Sequence, residues 1–109
     1  MKLVIAVVHD RDRGKITESL LRNGFKFTKI GSTGGFLREG NVTLLIGSED
    51  RDAEKVLALI NEASKSRKQF VNVLPPDAGP VGTYIPSPVE VEVGGAIAFV
   101  MDVERFERF

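Results

Sequence analysis

The chain has 109 residues, 42% of them hydrophobic and 28% charged, the balance of a folded domain; wholesale disorder is excluded. Fifteen Lys and Arg offset fifteen Asp and Glu, so the basic footprint of a dedicated DNA or RNA binder is missing. There is no cysteine and one histidine, His9, which excludes disulfides, thiolate catalysis and cysteine or multi-histidine metal centres within one chain.

Residues 3–8 are apolar and mostly β-branched, and predict a buried first strand. The run is too short for a signal-peptide core or a membrane span, so the expected location is the cytoplasm, without membrane insertion. Residues 10–23 predict a helix with Asp10 and Asp12 as candidate N-caps, Ile16 and Leu20 on one face, and Gly24 as the stop. Residues 25–31 alternate as a strand whose inward face is ambiguous. A short turn-rich loop follows at about 31–41, then a strand over 42–46 ended by Gly47. Ser48, Asp50 and Asp52 offer caps for a second helix, where Val56, Leu59, Ile60 and Ala63 form the cleanest helical stripe in the chain. The cations of residues 64–68 are expected to close that helix at the negative end of its dipole.

Residues 69–73 suggest a short strand inside a long proline-rich connection over about 69–88, which holds all five prolines. Residues 89–93 and 96–101 predict two more strands, interrupted by Gly94 and Gly95. A single domain over 1–109 results: α+β, a ferredoxin-like split βαβ with an antiparallel sheet and two helices on one face. The second sheet face then lacks a cover, which points to self-association.

Chemistry concentrates at residues 32–41. Gly34 and Gly35 let main-chain N–H groups approach an anion, Phe36 offers a stacking surface, and Asn41 can both donate and accept at a base edge. The segment lacks the lysine of a Walker loop, and taken alone it reads more readily as a hairpin turn with a core Phe. Lys26 and Thr28 are two apart and pair a cation with a hydroxyl; a solvated face is the bland alternative. Gly47 either makes a turn or permits close ligand approach. Phe99 reads as core, and Arg108 as a surface residue between Phe106 and Phe109.

Three stretches carry a resemblance. The pattern T-K-x-x-S-T-G-G-F-L-R-x-G-N from Thr28 to Asn41, Y-I-P-x-P-V-E-V-E-V-G-G-A from Tyr84 to Ala96, and F-V-M from Phe99 to Met101 resemble the PII-like cyclic di-AMP receptors. The resemblance implies a homotrimer without catalytic activity that binds the second messenger cyclic di-AMP in clefts between subunits, with no other cofactor. It implies a signal-transduction role exercised on a protein target yet to be identified. The matching ligand positions are Thr28, Gly35, Phe36, Leu37, Asn41, Gly47 and Phe99. Phe36 and Leu37 are expected to bound a base, Thr28 and Asn41 to read adenine edges, and Gly47 to allow close approach.

Three positions depart from the pattern. Lys26 replaces a frequent Arg, which turns a bidentate phosphate contact into a point charge. Gly24 replaces Asn and loses a polar contact, and Arg108 replaces a shorter polar residue and is a further candidate for phosphate. Two alternatives stand beside the receptor reading: a PII-like sensor of ATP or ADP, and a small phosphatase-type enzyme holding phosphate on Arg38 and Asn41.

Overall fold

The computed structural model describes residues 1–32, 40–72 and 88–109. Among the described residues, six strands and two helices run in the order β1 (Lys2–His9), α1 (Arg13–Arg22), β2 (Phe27–Ser32), β3 (Asn41–Ser48), α2 (Ala53–Ser64), β4 (Arg67–Asn72), β5 (Pro88–Val93) and β6 (Ala96–Asp102). An antiparallel sheet has the order β2-β3-β1-β6, and β4 and β5 form a separate hairpin. Two helices on an antiparallel sheet with this order fit the ferredoxin-like expectation, with the hairpin inserted between α2 and the last sheet strand. No helix among the described residues is long and apolar enough to cross a membrane.

The period of two in β1 and β3 decides which sheet face is inside. Val4, Ala6 and Val8 lie opposite Ile46, Leu44 and Val42, and all six are buried. Ile16 and Leu20 of α1 and Val56, Ile60 and Ala63 of α2 close over them as one core. Each fully buried Val, Leu or Ile contributes about 1.5–3 kcal/mol, so this cluster outweighs any surface ion pair among the described residues. The stripe read from the sequence of α2 is thus the face that packs, with Leu59 at its partly buried margin.

Helix starts differ from expectation. Each helix is entered by a single 3₁₀ turn with the same tripeptide, Asp10-Arg11-Asp12 before α1 and Asp50-Arg51-Asp52 before α2. Asp12 and Asp52 stand at the N-cap positions, but neither makes a side-chain cap hydrogen bond. The carboxylate of Asp12 is drawn instead to Arg67. At the other end of α1, Gly24 has φ +82°, as a helix stop requires, and the N–H groups of Gly24 and Phe25 donate to Leu21 and Leu20 carbonyls at 3.0 and 2.9 Å.

The end of α2 also differs. The helix stops at Ser64, and Arg67 and Lys68 begin β4 rather than neutralising the helix dipole. Lys65 already has extended ψ of 142°, and the chain leaves the helix there.

Candidate functional site

Among the described residues, no helix packs on one face of the sheet, the face built by the odd residues of β1, β3 and β6 and the even residues of β2. Register resolves the ambiguity left by the sequence of β2: Phe27 opposes Ile46 on the core side, and Thr28 opposes Leu45 on the open side. Lys26 precedes the strand, so it does not share a strand face with Thr28.

Thr28, Leu45, Ile5 and Phe99 form one row across all four strands of that open face. Thr28 lies on one edge strand and Phe99 on the other. Three strand spacings separate them, about 14 Å. Thr28 is exposed and Phe99 retains 43% exposure, unlike the core residue that its apolar run suggested. Met101 and Ile97 flank Phe99 on the same face of β6, opposite Leu3 and Val7.

Asn41 opens β3, opposite both His9 of β1 and Ser32 of β2. Its exposure is only 5%, so the fold fixes this amide rather than leaving it to solvent. The Nδ1 of the neighbouring His9 is buried and has no hydrogen-bond partner among the described residues.

Lys26 and Gly47 meet at a cavity of about 370 Å³ beside the end of α1. Gly24 joins them, and Glu49, Asp52 and Lys55 complete the opposite wall. Sequence reasoning did not single out Lys55. Nothing local marks it, because only tertiary structure sets the start of α2 beside the end of α1. At Gly47 an added Cβ would lie 3.3 Å from the Cε of Met1, the flexible end of a side chain. Met1 is held there by its ammonium group, 2.6 Å from Asp50, which pulls the Asp50 carboxyl below its ordinary value of 3.8.

The candidate positions thus fall into three places. Lys26 and Gly47 line one cavity, Thr28 and Phe99 stand at opposite edges of the open face, and Asn41 lies at the end of β3. Arg108 is exposed in the segment after β6. Gly35, Phe36 and Leu37 lie outside the described residues, as do Arg38 and most of both predicted loops.

The comparison with known families settles the relationship. The whole chain, residues 1–109, matches the family described as cyclic-di-AMP receptor. The chain belongs to the cyclic di-AMP receptor family. Among solved structures it is similar to a functionally unknown protein from Pediococcus pentosaceus ATCC 25745, at 38% identity and a TM-score of 0.78. That match covers 99% of this chain and 96% of the other. Membership in the family supports cyclic di-AMP as the ligand class and signalling as the role.

Proposed function

We propose that this chain is a non-enzymatic cytoplasmic receptor that binds cyclic di-AMP in the clefts between subunits of a homotrimer. The observation that carries this reading is the separation of Thr28 and Phe99. They share one row of the open face, yet three strand spacings lie between them. An adenine touched by both therefore needs β6 of a second copy beside β2 of the first. Repeated around a threefold axis, that head-to-tail contact closes a ring in which each cleft is shared by two neighbours.

In each cleft, Thr28 and Asn41 supply hydrogen bonds to an adenine edge, and Phe36, Leu37 and Phe99 bound its rings. Lys26 and Arg108 supply cations toward phosphate, and Gly35 and Gly47 allow the backbone to come close. Binding orders the segments at about 31–41 and 69–88, and the altered surface is read by a protein target. Such signalling requires that the ligand prefer one arrangement of those segments over the other.

Calorimetric titration with cyclic di-AMP, with ATP and cyclic di-GMP as controls, tests the ligand, and sedimentation equilibrium tests the assembly. Saturable binding near one ligand per chain, selective for cyclic di-AMP, on a particle of three chains is expected. Absence of cyclic di-AMP binding, or selective ATP binding, overturns the ligand assignment, and a monodisperse monomer overturns the cleft.

A further inference from the structure

The β4–β5 hairpin projects from the body with Phe70 68% exposed and Val89 45% exposed. Its base, by contrast, is pinned. The Nη2 of Arg67 donates to Oδ1 of Asp12 at 3.0 Å, where the Asp12 side chain is 3% exposed. The Nη1 of the same guanidinium donates to the Lys65 carbonyl at 3.3 Å, and the N–H of Gly95 donates to the Ser64 carbonyl. Gly94 and Gly95 leave the hairpin with φ of +86° and +89°.

The other end of this connection lies at the candidate ligand site. The N–H of Asp10 donates to the Gly40 carbonyl at 3.0 Å, one residue before Asn41. Contact is close enough that a Cβ on Gly40 would lie 3.3 Å from Oδ2 of Asp10. Between Asp10 and Asp12 runs one 3₁₀ turn, closed by the Arg13 N–H donating to the Asp10 carbonyl. A continuous path therefore runs from Gly40 through Asp10 and Asp12 to Arg67.

We infer that the Asp10–Asp12 turn is a latch by which the ligand site sets the seating of the β4–β5 hairpin. The two states are the Arg67 guanidinium seated on Asp12 and lifted from it. A ligand that fixes Asn41 fixes Gly40, and through the Asp10 amide it holds the Asp12 carboxylate where Arg67 meets it. The hairpin is the arm on which the proline-rich segment is carried, so its seating transmits occupancy to the surface that a protein target reads. Asp12 and Arg67 are positioning residues and touch no ligand. This inference rests on the receptor reading above.

Hydrogen exchange on the full-length protein, with and without cyclic di-AMP, tests the latch after calorimetry has established binding. Bound ligand is expected to slow exchange at the base of β4 and β5 by on the order of fivefold, the lower end of ordinary coupling between sites. In the neutral double variant Asp12→Asn, Arg67→Met, binding is expected to persist and amides near Thr28 and Asn41 to respond still. The response of the hairpin base should be lost. If that variant fails to fold, Arg67→Lys, which keeps the charge without the forked geometry, should show a reduced response. Absence of binding by the parent protein removes the receptor reading and the latch with it. A binding-competent parent whose hairpin amides stay silent, or a variant that keeps the full hairpin response, overturns the latch alone.

Discussion

Thr28 and Phe99 occupy the two ends of a single row of side chains that crosses the open sheet face from edge to edge. One adenine cannot reach both within a chain, and this makes their cooperation testable by mixing. Thr28→Ala and Phe99→Ala are each expected to weaken cyclic di-AMP binding by about 1–3 kcal/mol, through a lost hydrogen bond and lost stacking. In trimers assembled from both variants, one cleft combines an intact Thr28 with an intact Phe99. Tight binding at about one site per mixed trimer should return, measured by calorimetry on co-refolded protein. Unimproved binding in the mixture would place both side chains in the same subunit's site or in none.

Asn41 is fixed by the fold to 5% exposure, so its amide is oriented before a ligand arrives. Asn41→Ala should reduce affinity by about 1–3 kcal/mol. Asn41→Asp keeps the shape but removes the donors and adds charge, and should bind no better. The same titration measures both, and parent-like affinity in either variant removes Asn41 from the site.

Two glycines should respond oppositely to an added methyl group. At Gly94 the Cβ would fall 2.8 Å from the Ser64 and Lys65 carbonyl oxygens, in a backbone conformation of φ +86°. Those oxygens are main chain and cannot step aside, so Gly94→Ala should lower stability to urea by about 1–3 kcal/mol or more. At Gly47 the obstacle is the tip of Met1, which can swing away. Gly47→Ala should therefore leave the urea midpoint nearly unchanged while weakening cyclic di-AMP binding.

Acid should loosen the contact that seats Met1. The Met1 ammonium holds the Asp50 carboxyl below 3.8, its ordinary value. A carboxyl with a lowered folded value stabilises above its unfolded value, and that contribution fades as pH falls through the lowered one. The difference in urea stability between the parent and Asp50→Asn should thus be largest near neutrality and vanish well below pH 3.8. A difference that grew on acidification would assign Asp50 another role.

How much of this was legible in the sequence depended on how local each cause was. The stripe of Val56, Ile60 and Ala63 was readable because helical period alone selects a buried face. The Gly24 stop was readable because positive φ is a property of one residue. Asp12 and Arg67 were misassigned, one as a cap and the other as a helix-end cation, because each has its partner 55 residues away. The face of β2 was ambiguous because both of its alternating sets contain apolar residues. Only pairing with β3 decided that Thr28 looks outward. The two Asp-Arg-Asp turns escaped notice because identity over three residues is too short to count as a repeat, although it marks the same joint in both halves of the fold. Residue types within the candidate site came from long motifs, whereas the distance that keeps Thr28 from Phe99 came only from strand order.

The last sheet strand has a consequence for how the protein exists in dilute solution. Phe99 and Met101 lie on one face of β6, Val100 on the other, all between 43% and 50% exposed, along a margin with no neighbouring strand among the described residues. Such a margin is adhesive: left bare it recruits whatever strand or apolar surface it meets. Chains that cover it mutually gain stability by mass action, so the melting temperature should climb with protein concentration. Newly made chains would then be most vulnerable to aggregation and proteolysis while they are still scarce, before they have found each other.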